Sequence, residues 1–289
     1  MDLKFPTVGV VGAGLMGQGL AQVLAETGHA VTLVDIDECA LGEAKTRITR
    51  SLKLAAMMNR IRPSLGIYET VGRITFTRDL TLLASAKFIV ENVTEDLVIK
   101  SKVYRALDRL VGIDCVIAAN TSAIPIGSLA AYLTCRSRLI GMHFMNPVPQ
   151  KAIVEVIRSS DTSEDTVRTA RAFLAEIGKD AIVVNDSPGF VTNRVLMLTI
   201  NEAIALVHEG VASAADIDRI FVGCFAHKMG PLATADLIGL DTIKRSLEVL
   251  QQYTSESRFA PNPLLAEMVA AGILGRKSGI GFFEYKVRA

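Results

Sequence analysis

The sequence carries no excess of either charge: Lys plus Arg number 31 and Asp plus Glu 30 in 289 residues. Nucleic-acid binding needs a clustered basic excess, so that class of partner is set aside. The balance leaves room for a local basic patch that meets a phosphate-bearing ligand. Cysteine is scarce, and Cys39, Cys115, Cys135 and Cys224 stand at no metal-ligand spacing. Neither a metal site nor a disulfide framework is expected from them; reduced thiols are. No apolar run approaches the roughly 20 residues that a transmembrane helix needs. No basic leader with an apolar segment precedes the first strand pattern, TVGVVGAG, so a soluble, cytoplasmic protein without a membrane partner is expected. Internal repeats and low-complexity segments are missing too.

What is present is apolar and punctuated. Hydrophobic residues make up 50% of the chain, which marks it as globular. At this length a single core stops growing, and two domains are expected. From Thr7 to about Val184, short apolar runs alternate with amphipathic stretches: VGVV, AVTLVDI, KFIVENV, CVIAANT, RLIGMHF, IVEVI and AIVVND. That rhythm predicts βαβ units and a parallel, doubly wound sheet covered on both faces. A long helical excursion from Glu38 to about Arg62, stopped by Pro63, reads as a helical hairpin outside the sheet. After NDSPGF, Asn185 to Phe190, the pattern turns helical. The domains are accordingly set at 1–187, α/β of Rossmann type, and 188–289, an all-α domain.

The loop VGVVGAGLMGQGLA places Gly12, Gly14 and Gly17 at G-x-G-x-x-G spacing between a strand pattern and a helix pattern. Gly12 makes the turn, Gly14 lets a pyrophosphate approach the backbone, and Gly17 lets helix and strand pack. Leu15 and Met16, in the same loop, are counted as cofactor contacts. Asp35 ends the second apolar run. An acid there accepts from the ribose hydroxyls and repels a 2′-phosphate, so NAD rather than NADP is expected.

Ligands of open α/β sheets gather at the carboxyl ends of the strands. This chain puts Glu91, Asn92, Glu95 and Lys100 after one run, Asn120, Thr121 and Ser122 after the next, and His143 with Asn146 after another. Glu155 lies within the apolar run that follows. No G-x-S-x-G elbow surrounds Ser122, and no metal spacing such as H-E-x-x-H occurs. Hydride transfer needs a base for the hydroxyl proton and donors for the developing oxyanion. Imidazole titrates near neutrality, which suits His143 to the base. A lone histidine at a strand end is more often structural, but a buried carboxylate such as Glu155 needs a partner. Together they read as base and orienting acid.

The motifs VGAGLMGQGLA, VENVTE, ANTSAIPI, GMHFMNPVP, SPGFVTNR, MGPL, DLIGLD and GRKSGIGFFEY, in this order along the whole chain, resemble the NAD-dependent 3-hydroxyacyl-CoA dehydrogenases, including the 3-hydroxybutyryl-CoA dehydrogenases. The resemblance implies a Rossmann-type domain followed by a helical domain that dimerises. It makes His143 the catalytic base and Glu155 its orienter. Ser122 and Asn193 become hydrogen-bond partners of the substrate oxygen, with Asn146 shaping the same pocket. Glu95 and Lys100 would meet the cofactor near its ribose and nicotinamide, with Asn120 and Ser122 counted beside them. Three departures stand out. Met145 and Ala123 replace residues usual in the family beside the base and beside Ser122. Met57, Met58 and Asn59 stand where relatives carry lysines for the CoA phosphates, leaving Lys53, Arg60 and Arg62 nearby.

The expected reaction is NAD-linked interconversion of a 3-hydroxyacyl and a 3-oxoacyl thioester, with 3-hydroxybutyryl-CoA as the family substrate. The missing lysines raise an alternative, a 3-hydroxyacyl or glyceryl thioester on an acyl carrier protein for a polyketide extender unit. A non-catalytic NAD-binding regulator on the same fold is the reading from another class. A homodimer is expected through the helical domain.

Overall fold

The computed structural model describes residues 3–58 and 66–285. The chain divides into two compact units, Met1–Ser187 and Pro188–Ala289. The first holds a mixed sheet of eight strands with helices on both faces. In chain order its elements are β1 (Thr7–Val11), α1 (Leu15–Glu26), β2 (Ala30–Val34), α2 (Glu38–Met57), α3 (Ile67–Gly72), β3 (Ile74–Thr77) and β4 (Phe88–Glu91). There follow α4 (Leu97–Leu110), β5 (Val116–Ala119), α5 (Ile126–Ala130), β6 (Leu139–His143), β7 (Ile153–Arg158), α6 (Glu164–Glu176) and β8 (Asp180–Asn185). The strand order is β3-β2-β1-β4-β5-β6-β7-β8. Chain order therefore reverses direction between β1 and β4, and that switch point opens a crevice beyond their carboxyl ends.

Two features depart from the expected parallel sheet. β3 is an additional edge strand, paired with β2 alone. Its four residues, ITFT, alternate apolar and polar on a half-exposed edge and give no continuous apolar run. β7 runs antiparallel to β6, with His143 directly opposite Glu155. The connection over residues 144–152 is too short for a crossover helix, so the chain turns back as a hairpin. β8 is the other edge, and only part of it is covered within this unit.

The core between sheet and helices is aliphatic, with one aromatic cluster. Phe88 stacks on Phe173 at 4.0 Å between ring centroids, and Phe5 meets both edge-on. The long excursion is one helix, α2, through Met57, with Asp37 capping its start by accepting from the Cys39 N–H. One face of α2, Leu41, Ala44, Ile48 and Leu52, is buried, and the helix packs on α1 and α3. Asn59, Arg60, Arg62 and Pro63 lie outside the described residues.

The second unit is helical: α7 (Thr192–His208), α8 (Ala214–Phe225), α9 (Pro231–Ile238), α10 (Leu240–Thr254) and α11 (Pro263–Ala270). Its core joins Met197, Ile200 and Ile204 of α7 with Leu240, Leu247 and Leu250 of α10. Two buried carboxylates order the connections. Asp218 accepts from the Leu232 and Ala233 N–H groups at the start of α9. Asp236 accepts from the Phe282 and Phe283 N–H groups and the Tyr285 hydroxyl, which fastens the terminal GFFEY segment to α9. No helix among the described residues is long and apolar enough to cross a membrane.

Candidate active site

The glycine loop is built as a cradle. Gly12 has φ of +98°, and a Cβ there would meet the Asn92 carbonyl oxygen at 2.7 Å. A Cβ on Gly17 would fall 1.8 Å from the Gly12 carbonyl oxygen, so helix and turn approach each other only through glycine. Gly14 differs. It caps α1 and is exposed, and a Cβ would meet nothing within 4 Å. The open space thus lies where a pyrophosphate would sit, in front of the first-turn amides of a twelve-residue helix. Leu15 is exposed and Met16 half-buried beside it. Asp35, beyond β2, accepts from the Ala13 N–H at 2.7 Å and the Asp37 N–H at 3.0 Å. Each carboxylate oxygen accepts two bonds, so Asp35 keeps capacity for ribose hydroxyls while bracing the loop. The residues present fit a dinucleotide without a 2′-phosphate.

The adjacent strand ends are tied together by side chains. Asn120 donates from Nδ2 to Asn92 Oδ1 at 2.7 Å, and its Oδ1 accepts from the Phe144 N–H at 3.2 Å. One amide thereby joins the ends of β4, β5 and β6, next to His143. The pair at β6 and β7 is buried, His143 5% and Glu155 6% exposed, with Nδ1 3.1 Å from Glu155 Oε2. A carboxylate only accepts, so Nδ1 carries the proton and Nε2, across the ring, the lone pair. This is the arrangement of a base with its tautomer fixed.

Ser122 is half-buried in the loop after β5, and Asn146 is exposed in the loop after β6, where the Asn146–Pro147 bond is cis. Asn193 lies in the first turn of α7, in the second unit. Glu95 is 31% exposed at its side chain, whereas Lys100, expected beside the cofactor, is wholly buried. The Lys100 ammonium donates to both oxygens of Glu91, at 2.8 and 2.9 Å, and to the Asn120 carbonyl at 3.2 Å. Glu91 also accepts from the Tyr104 hydroxyl at 2.7 Å and the Val93 N–H at 2.6 Å. Burial pushes the Glu91 carboxyl above its ordinary range, against the pull of Lys100, Tyr104 and Val93. Burial and the Glu91 charge push the Tyr104 phenol well above its own. Sequence reasoning gave Tyr104 no role. The available signal was its place one turn after Lys100, on the same face of α4.

A cavity of about 660 Å³ opens between α1, α2 and the loop after β6. Arg47, Arg50 and Ser51 of α2 line it, with Leu54 further along that helix, Met58 just past its end and Asn146 opposite. The fold, the cradle and the strand-end cluster define an NAD-dependent oxidoreductase of Rossmann type.

Comparison with known proteins narrows that class. The family description "3-hydroxyacyl-CoA dehydrogenase, NAD binding domain" matches residues 7–187, and "3-hydroxyacyl-CoA dehydrogenase, C-terminal domain" matches 189–285. The chain is 41% identical to a probable 3-hydroxybutyryl-CoA dehydrogenase of Bacillus subtilis, over 99% of each protein. It is 37% identical to the mitochondrial hydroxyacyl-coenzyme A dehydrogenase of Sus scrofa, over 96% of this chain and 91% of that one. Among solved structures, (S)-3-hydroxybutyryl-CoA dehydrogenase PaaH1 from Ralstonia eutropha superposes with a TM-score of 0.93 at 40% identity, covering 98% of this chain and all of that one. The chain belongs to the 3-hydroxyacyl-CoA dehydrogenase family.

Proposed function

We propose that this protein interconverts 3-hydroxybutyryl-CoA and acetoacetyl-CoA with NAD as the hydride carrier. The observation that carries this reading is the buried His143–Glu155 pair, at the carboxyl end of β6 and the first half of the antiparallel β7. Bound NAD supplies the hydride acceptor or donor at the substrate carbon. In oxidation, His143 Nε2 takes the hydroxyl proton, and Glu155 stabilises the imidazolium through Nδ1–H. In reduction the same nitrogen returns the proton to the carbonyl oxygen. Ser122 donates a hydrogen bond to that oxygen, and Asn193 is given a second on the family pattern. Asn146, on the cavity wall, shapes the acyl pocket. The cradle residues Gly12, Gly14, Leu15, Met16, Gly17 and Asp35 hold the dinucleotide, with Asn120 beside them.

The handle on the substrate is assigned to CoA. The names of the relatives favour it over an acyl carrier protein, and so does the cavity. Arg47 and Arg50 line its wall about two to three turns before the exposed Met57 and Met58, so basic charge is supplied earlier along α2. A homodimer is proposed through the helical unit, where Val195, Ile220 and Phe225 are 61%, 50% and 62% exposed. A cytoplasmic location belongs to the same reading. The deciding experiment compares kcat/KM for one acetoacetyl group on CoA and on a carrier protein, with NADH in excess. Preference for the carrier protein overturns the CoA assignment; no turnover of either, with NADH still bound, overturns the enzyme reading. A monomer mass at micromolar concentration removes the dimer.

A further inference from the structure

Gln18, in α1 just past the glycine cradle, is 7% exposed, yet its side-chain amide has no hydrogen-bond partner among the described residues. Among those residues, the only buried side-chain polar atoms sealed off without a partner are the Nε atoms of Arg73 and Arg138. The Gln18 amide therefore reaches open space, and that space is the cavity between α1, α2 and the loop after β6, whose wall it helps to form. Gln22, one turn on, makes the contrast. It lines the same cavity, but its Nε2 donates to Glu26 Oε1 at 3.0 Å. The turn packed on α1 beside them offers Gln18 little. Pro147 and Pro149 have no N–H, the Pro147 carbonyl accepts from the Gln150 N–H, and the Val148 carbonyl accepts from the buried Lys179 ammonium at 2.8 Å. That turn lies close because residue 19 is glycine: a Cβ there would meet Val148 Cβ at 3.2 Å.

We propose that Gln18 binds an amide of the pantetheine arm on which the acyl group is carried. A buried amide without a partner costs stability, and in a ligand cavity it is accounted for by the group that completes it. Its Oε1 accepts and its Nε2 donates, so its complement is a neutral group with one N–H and one C=O, a secondary amide. The walls beside it, Leu54, Ala55 and Pro149, are apolar, which disfavours a phosphate there and strengthens a neutral pair. Phosphate charge is met by Arg47 and Arg50 on α2 instead. Pantetheine has the matching chemistry: two secondary amides joined by apolar carbons, between the phosphate end and the thioester sulfur. Gln18 thus recognises the arm, whereas Arg47 and Arg50 recognise the nucleotide.

This inference rests on an acyl thioester being the substrate, and its test includes a measurement that needs no turnover. Gln18→Met and Gln18→Leu, both near Gln in volume and without the amide, are compared with wild type. Melting temperature is measured without ligand, CoA affinity by calorimetry with NADH present, and NADH affinity by fluorescence titration. KM and kcat are measured with acetoacetyl-CoA and with acetoacetyl-pantetheine. The melting temperature is expected to hold or rise, because an unpartnered buried amide gives way to an apolar group of its size. CoA affinity falls and both KM values rise by about tenfold, the scale of one hydrogen bond whose other partner stays buried. Both kcat and NADH affinity stay within about threefold, less than one such bond is worth. Unchanged KM and CoA affinity overturn the assignment, whatever the melting temperature does. So does a rise in KM confined to acetoacetyl-CoA, which puts Gln18 at the nucleotide end, or a loss of NADH affinity equal to that of CoA, which makes it a cofactor ligand. If wild type binds CoA but turns over no thioester, the proposed reaction fails and the calorimetry still judges Gln18. A wild type that neither binds CoA nor turns over a pantetheine thioester overturns both. The arm is common to CoA and to an acyl carrier protein, and wild-type kcat/KM on the two tells which delivers it.

Discussion

Replacing Glu155 by Gln tests how much of the chemistry resides in one charge. The imidazolium formed when His143 takes a proton lies against the Glu155 carboxylate, with Nδ1 and Oε2 3.1 Å apart and both residues nearly dry. With charge centres about 4 Å apart and an effective dielectric constant of about 20, the attraction is about 4 kcal/mol. Gln retains size and one acceptor oxygen, so the hydrogen bond survives in one rotamer while the charge does not. A loss of about 3 kcal/mol at the transition state corresponds to roughly two orders of magnitude in kcat. If the amide turns its NH2 toward Nδ1, the ring is held in the wrong tautomer and the loss grows toward about 10⁴-fold. Steady-state kinetics in both directions, with NADH affinity measured separately, read the effect. KM and NADH affinity are expected to change little, because Glu155 contacts the base rather than the ligands. A kcat within about threefold of wild type would refute the reasoning, since the geometry requires the charge to matter far more.

Four further substitutions test other parts of the first unit. Gly14→Ala is expected to leave the melting temperature unchanged, as its Cβ meets no protein atom within 4 Å. It should still weaken NADH binding by about tenfold or more, because the methyl occupies the pyrophosphate approach; Gly17→Ala, whose Cβ overlaps the Gly12 carbonyl, should lower both. Arg50→Glu should raise KM for acetoacetyl-CoA by about fivefold, one surface charge pair's worth, and leave acetoacetyl-pantetheine unaffected; an equal effect on both thioesters removes Arg50 from the nucleotide end. Asp108 is a stability test. Burial raises its carboxyl, but donors from Thr134 and the Arg138 guanidinium at 2.7 Å outweigh that and hold it below the usual carboxylate range. A depressed acid contributes stability above its ordinary value, near 3.8, and loses it as pH falls through the folded value. Asp108→Asn should therefore cost about 1–3 kcal/mol in urea melts at pH 7, with the gap to wild type closing as pH falls below the ordinary carboxylate value.

The sequence by itself determined the fold class and the cofactor. Gly12, Gly14 and Gly17 ahead of a helix pattern, with Asp35 after the next apolar run, constrain the chain locally, and local constraints survive in one dimension. The Ser122 and His143 segments were also legible as strand ends, because continuous Val, Ile and Ala runs stop there. β3 was not: ITFT becomes a strand only when β2 offers an edge to pair with. Nor was the direction of β7, which rests on a short connection turning back and which alone sets Glu155 opposite His143. No motif singles out Arg47 and Arg50; the packing of α2 on α1 puts them on a cavity wall. Lys100 changed most. Motif resemblance implies a place beside the cofactor, and the tertiary structure buries its ammonium between Glu91 and the Asn120 carbonyl. A charge is placed by what desolvates it and what pairs with it. Here Glu91 and Asn120 come from different strand ends, and only folding brings them to one ammonium.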